Sequence, residues 1–284
     1  MASKSTSTPR PSFRRPTILV GSEATLLGRP TIDAEDAANA GLYGIDLDLR
    51  RAWRAPGEAD IERLDGVRIR SVWLPTSYGG MAVDGRTDRL RAFLRAAATR
   101  NGLRTVVLSP RATAENVPIN VMAHEQAKAF GLRLALEVRA ETLLDERGPH
   151  LTRVANFRRF AEEWELEIAL DLGSGDLAGW ETEAALMRLF PRLTLVRIGP
   201  MHGPGGHHAV TPGASVSIRT VKMLADQAYG GLISIMPTMP QSAWWSWASH
   251  PSLATAITGR EEILATYDRI DQYDVSAHRS QPSW

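Results

Sequence analysis

The sequence predicts an α/β fold of one domain, a closed (β/α)8 (TIM) barrel, on three observations. Eight short apolar runs alternate with stretches of helical periodicity. The 284 residues suit one barrel of about 250 residues with short extensions. Two runs, those carrying Glu137 and Asp171, end in a carboxylate and then break into loop, as a buried parallel strand does when it delivers one side chain to a barrel rim.

The strand candidates are, in order, TILVG (17–21), YGIDLDL (43–49), IRSVWLP (69–75), LRTVVLS (103–109), LRLALEV (132–138), LEIALDL (166–172), LTLVRIG (193–199) and GLISIMP (231–237). Between them, DRLRAFLRAAATR, NVMAHEQAKAF, LTRVANFRRFAEEW, ETEAALMRLF and SIRTVKMLADQA repeat apolar residues at intervals of three and four, the spacing of one helix face. Asn101-Gly102, Gly131 and Gly230-Gly231 follow helical patterns and are expected as helix C-caps. Right-handed crossovers make such an alternation a parallel sheet, and eight repeats close it. An open doubly wound sheet would want a Gly-rich nucleotide turn after the first strand, and GSEATLLGRP is not one. Residues 1–16, basic and rich in Ser, Thr and Pro, are expected as a disordered tail, 17–270 as the barrel and 271–284 as a C-terminal tail.

Composition excludes several classes. Lys plus Arg number 33 and Asp plus Glu 32, so no global field draws in nucleic acid or an anionic membrane. The absence of cysteine removes disulfides, thiolate ligands and a thiol nucleophile, and fits a cytoplasmic location. No apolar stretch approaches the roughly 20 residues of a membrane span, and the N-terminal segment lacks the apolar core of a secretory signal.

The succession LALEV, ALDLGSGD, TLVRIGPMHG and VTPGASVSIRTVKMLADQAYGGLISIMP resembles the xylose isomerase-like barrels of the sugar phosphate isomerase and epimerase superfamily, over roughly residues 17–270. The Tyr229-Gly230-Gly231 turn before the eighth run is its most specific piece. In that family the fifth strand ends in Glu, the sixth in Asp-x-x-His, the seventh in His-x-x-Asp and the eighth in a second Glu. Carried over, the four metal-ligand positions fall on Glu137, Asp171, Arg197 and Met236, the substrate-contacting His becomes Ser174, and the Asp after the seventh strand becomes Pro200. The resemblance implies a small sugar, sugar phosphate or polyol as ligand and a homo-oligomer.

The expected function is therefore isomerase- or epimerase-like chemistry without the usual metal, with Glu137 as base, Asp171 beside it and Arg197 as electrostatic stabiliser. The alternative is an inactive barrel that binds a carbohydrate or a partner protein. An endonuclease IV-like repair enzyme would need many His ligands and a basic groove. A guanidinium is always charged and can bridge carboxylates, so Arg197 is expected to join Glu137 and Asp171 in one ion cluster; a structural brace for the rim is the simpler role of the same residues. Trp73 is a candidate sugar-stacking platform or a rim plug, and Glu23, Ser174 and His202 are candidate substrate contacts. Asp46 and Asp48 alternate, so they share a strand face, a weaker second site. No cofactor is expected. Were a metal bound, Glu137, Asp171 and His202 would hold Mn, Co or Zn; His202, His207 and His208 lie in a Gly-rich loop that could instead cradle a phosphate through backbone N–H groups. Met236 and His124 read as packing or surface residues. Trp244, Trp245 and Trp247 cannot all face one core and are expected to form an oligomer contact or a carbohydrate-facing wall.

Overall fold

The computed structural model describes residues 15–23, 34–50, 57–58, 68–74, 83–108, 117–138, 150–172, 182–198, 202–203, 206–207, 216–236 and 253–279. Eight parallel strands close into a barrel: β1 (Thr17–Glu23), β2 (Ile45–Asp48), β3 (Ile69–Trp73), β4 (Thr105–Leu108), β5 (Arg133–Val138), β6 (Glu167–Asp171), β7 (Leu193–Ile198) and β8 (Leu232–Ile235), in the order β1-β8-β7-β6-β5-β4-β3-β2. Each falls inside, or within two residues of, the apolar run that predicts it, because strands buried on both faces must be apolar almost continuously.

The helices are α1 (Ala34–Asn39), α2 (Val83–Arg100), α3 (Val117–Phe130), α4 (His150–Glu163), α5 (Thr182–Leu189), α6 (Val216–Asp226) and α7 (Leu253–Arg279). A two-residue antiparallel ribbon pairs His202–Gly203 with Gly206–His207 after β7. The core lies between the outward strand faces (Val72, Val106, Leu136, Ile168, Val196, Ile233) and helix residues such as Leu90, Phe93, Met122, Ala161, Leu224 and Ile263. Among the described residues no helix is long and apolar enough to cross a membrane.

Gly102 and Gly131 take φ of 70° and 62° after α2 and α3, the left-handed caps expected of them. Gly230-Gly231 does not play that part after α6: Ala228, at φ 52°, makes the left-handed turn instead, as Glu165 does after α4 at φ 55°. The small size of Gly231 serves another end. A Cβ there would overlap the Tyr229 ring, which folds back so that its hydroxyl donates to the Leu232 carbonyl at 3.2 Å, while Tyr267 on α7 donates to the Tyr229 carbonyl at 3.1 Å.

Two expected boundaries change. Residues 271–279 continue α7 rather than forming a tail, since the chain from 260 to 279 contains neither Gly nor Pro to stop it. At the other end the described chain begins at Arg15, which reaches Asp268 at 2.7 Å, and Pro16 is buried; residues 1–14 and 280–284 lie outside the described residues.

Candidate functional site

Strand alternation assigns the lumen. Trp73, Val107, Ala135, Ala169 and Leu195 form one buried cluster with Leu232 packed on it. Two residues further along their strands, on the same face, stand Glu137 on β5, Asp171 on β6 and Arg197 on β7. Asp46 and Asp48 share the inward face of β2, and Arg50 follows just past its end. The register supports the layer, with Asp171 opposite Arg197 and Asp48 opposite Trp73. Ala135 and Ala169 carry nothing beyond Cβ, which leaves the lumen to the indole. The charged groups therefore rest on an aromatic floor at the C-terminal end of the barrel, the end at which barrel enzymes place their chemistry.

Four carboxylates and two guanidiniums interlock on that floor. Arg197 donates through Nε and Nη2 to Asp46 Oδ2 at 2.9 and 2.7 Å and through Nη1 to Asp48 Oδ2 at 2.6 Å; Asp171 Oδ2 lies 3.7 Å from Nη1. Arg50 donates through Nη1 to Glu137 Oε1 at 2.5 Å, and through Nη2 to Asp171 Oδ2 at 2.9 Å and Asp48 Oδ2 at 2.5 Å. Its Nε and backbone N–H also reach Asp48 Oδ1, at 3.0 and 2.9 Å. The remaining Asp46 oxygen accepts from Ser71 Oγ at 2.5 Å and from the Trp73 indole N–H at 2.8 Å. Both guanidiniums stand over the indole, Cζ to ring centroid 4.0 Å for Arg197 and 4.8 Å for Arg50.

Burial by itself raises the pKa of the Asp48 carboxyl, and it is the largest single influence. The charges of Arg50 and Arg197, with the hydrogen bonds from Arg50, outweigh it together and hold Asp48 well below the usual carboxylate range. Burial disfavours the charged form of Arg50, but Asp48, Asp171 and Glu137 reverse the sign and raise its pKa well above the ordinary value. A depressed folded-state pKa contributes stability that is complete above the unfolded value of about 3.9 and is lost as pH falls through the folded one. Melting temperature is therefore expected to fall on acidification below about pH 4, and Asp48→Asn, less stable at pH 7, to show a shallower fall between pH 5 and 3. Thermal melts across that range check it; parallel curves for the two proteins would remove Asp48 from the acid response.

Sequence reasoning places Glu137, Asp171, Arg197 and Trp73 at one site, and the structure gathers them there, with Asp46 and Asp48 as members of the same cluster rather than of a second site. It corrects two roles. Arg197 sits chiefly on Asp46 and Asp48, while the guanidinium that bonds both Glu137 and Asp171 is Arg50. Trp73 is completely buried beneath both guanidiniums and has no face open to a sugar, so it acts as the floor and not as a stacking platform. Arg50 is the member of the cluster that the sequence reading missed; the signal was its place two residues after the alternating acids, in IDLDLR. The Met236 sulfur packs directly over Gly21, and His124 is on an exposed face of α3. Glu23 pairs in register with Asp48, and His202 lies in the ribbon after β7; the side chains of both, together with Ser174, Pro200, His208, Trp244, Trp245 and Trp247, fall outside the described residues.

The residues present do not fit a divalent ion at the four positions the resemblance assigns to one. Glu137 and Asp171 offer oxygen, but Arg197 offers a cation and Met236 a thioether, where a hard divalent ion requires several oxygen or imidazole donors. The guanidinium of Arg50 already occupies the space between the two remaining acids. Among the described residues no group of three or more His, Cys, Asp or Glu is arranged to hold a metal.

No family model matches the chain, and no curated protein matches it. Solved structures do. An L-ribulose 3-epimerase superposes with a TM-score of 0.59 at 15% identity, covering 93% of this chain and 99% of that one. A 3-keto-D-glucoside 4-epimerase from E. coli gives 0.54 at 15% identity, covering 88% and 100%. The probable 3-DHS dehydratase AsbF from Bacillus anthracis gives 0.51 at 14% identity, covering 87% and 98%. The chain thus shares the (β/α)8 barrel fold of these three proteins, along essentially the whole length of each.

Proposed function

We propose that this barrel binds a sugar, sugar phosphate or polyol-like carbonyl compound at its C-terminal mouth and moves a proton on it without a divalent metal, as a sugar isomerase of the epimerase-like barrels. The observation that carries the reading is the 2.5 Å pair between Arg50 Nη1 and Glu137 Oε1, a carboxylate base held against a permanent positive charge. Arg50 is also among the more open members of the cluster, its side chain 12% exposed. Glu137 removes the proton from the hydroxyl-bearing carbon next to the substrate carbonyl. Arg50 stabilises the negative charge that develops on the oxygens, the part the sequence assigns to Arg197. Arg197 acts as a positioning residue, fixing Asp46 and Asp48, and Asp48 in turn fixes Arg50.

Met236 occupies the position of the second family base and packs on Gly21. With one base, the proton returns on the same face, to the former carbonyl carbon, while the hydroxyl proton passes to the former carbonyl oxygen. That is a 1,2-shift between aldose and ketose, rather than inversion at one carbon, which needs an acid on the opposite face. The test is incubation with a panel of aldoses, ketoses and their phosphates in D2O, followed by NMR. Deuterium is expected at the carbon next to the carbonyl, and Glu137→Gln is expected to slow its appearance by about 10²–10⁴-fold.

The second reading, binding without turnover, is favoured by the burial of Glu137, whose side chain is 1% exposed and whose Oε1 is already bonded. A compound that raises the melting temperature saturably while no member of the panel takes up deuterium would replace the first reading with this one.

A further inference from the structure

We propose that the outer face of α4 is a self-complementary interface on which a second copy of this chain docks, antiparallel, across a two-fold axis. Among the described residues five large hydrophobic side chains are exposed, and three of them gather here: Phe160 and Trp164 at the end of α4, 46% and 63% exposed, and Met187 on the adjacent α5, 43% exposed. Arg158 ties the two helices together, donating through Nη1 to the Arg188 carbonyl at 3.2 Å. The backbone N–H of Trp164 still donates to the Phe160 carbonyl at 3.1 Å, so helical spacing sets the two rings one turn apart on one stripe, their centroids 6.1 Å apart. The opposite side of the helix is committed to the barrel, where Ala161 is fully buried and Phe157 packs against the core. Apolar side chains scattered singly over a surface need no account, but a preassembled aromatic ridge marks a face that binds.

Charge along the same stripe selects the occupant. Asn156, Arg159 and Glu163 are exposed beside the rings, at helical intervals of three and four. Arg158 and Glu162, at the flank, pair with each other at 2.7 Å. Arg159 reaches Asn156 Oδ1 at 3.2 Å, and among the described residues neither Arg159 nor Glu163 has an oppositely charged partner. The face is thus basic toward the start of the stripe and acidic toward its end. A second α4 laid antiparallel reverses that order, so that Arg159 of each copy meets Glu163 of the other and Phe160 of each packs on the other's Trp164. Two-fold symmetry makes each of these contacts twice, whereas a parallel copy would set arginine beside arginine. An interface built around one helix face belongs to the small, transient class below about 1,200 Å², so the dimer is expected to be reversible at micromolar concentration. Because α4 runs back to the start of β6, these rings lie toward the pole of the barrel opposite the charged cluster. The surface also differs from the Trp244, Trp245 and Trp247 segment, which falls outside the described residues.

The experiment is sedimentation velocity on the full chain across the micromolar range, with Trp164→Glu, Arg159→Glu, Glu163→Arg and an equimolar mixture of the last two. Wild type is expected to pass reversibly from monomer to dimer, and Trp164→Glu to stay monomeric with an unchanged circular dichroism spectrum. Arg159→Glu and Glu163→Arg, each alone, set like charges across the axis and are expected to weaken the dimer at least about tenfold. Mixed, they rebuild both ion pairs in a heterodimer, and association is expected to return to near the wild-type affinity. Neither a folding defect nor nonspecific stickiness would give that rescue. Should Trp164→Glu fold poorly, the two charge variants and their mixture decide by themselves. The proposal is overturned if wild type stays monomeric at every concentration, which would leave the face to a different protein. It is equally overturned if a wild-type dimer survives Trp164→Glu, if the charge variants alone dimerise as well as wild type, or if mixing them recovers nothing, since the copies would then meet elsewhere. None of these outcomes touches the proton-transfer reading, which is measured with substrate.

Discussion

Arg197→Met is expected to lose about 3–5 kcal/mol of folding stability, because it leaves charges buried without their partner. The side chain is 1% exposed, and its three donor nitrogens serve Asp46 and Asp48 inside the lumen. Methionine matches the volume and supplies none of those bonds. For a domain whose whole stability is about 5–15 kcal/mol, the loss is large enough to lower the yield of folded protein. Urea unfolding at pH 7 measures it. Adding Asp46→Asn should restore part of the loss, since an amide costs less to bury than an unpaired carboxylate, whereas Arg197→Lys should restore less than a conservative change would suggest, a single ammonium being unable to span both acids. A loss below about 1 kcal/mol would reduce the pairing to one of the surface kind.

Trp73→Ala is expected to cost about 3–5 kcal/mol through the cavity alone. The indole fills the space that Ala135 and Ala169 leave, carries both guanidiniums on its face and donates to Asp46. Trp73→Phe separates these contributions. It keeps a ring under the arginines but removes one of the two hydrogen bonds to Asp46 Oδ1, leaving that from Ser71, at a cost of about 1.5–3 kcal/mol for a bond to a charged group. Equal losses for Ala and Phe would mean that the N–H, and not the aromatic floor, is what the site requires.

The fold was legible because burial on both faces writes each parallel strand as an apolar run, and because Gly102 and Gly131 mark helix ends by necessity of backbone conformation. Gly230-Gly231 misled for the same reason: a glycine signals either a left-handed turn or a close approach, and only the packed Tyr229 ring distinguishes them. The candidate acids were legible from strand ends. Their partners were not, since Arg50 meets Glu137 and Asp171 across separations of 87 and 121 residues, and Arg197 meets Asp46 across 151. Which of two arginines bridges which acids depends on barrel curvature and side-chain reach, and neither is written in local periodicity. The indole at the end of β3 looked like a platform because nothing in SVWLPTS shows that two cations already cover it.

The seam of the barrel bears on how the molecule is made. β1 pairs with β8, Thr17 with Leu232 and Val20 with Ile235, and the tyrosine latch from α7 fastens the turn that leads into β8. A strand synthesised first must therefore wait for nearly the entire barrel before its second neighbour exists, with one edge unpaired throughout synthesis. The acids of β2, β5 and β6 emerge in the meantime, before β7 brings Arg197. High contact order makes such closure slow and exposes the nascent chain to mispairing, and the bonds from Arg197 to Asp46 and Asp48 can form only once β7 has been made.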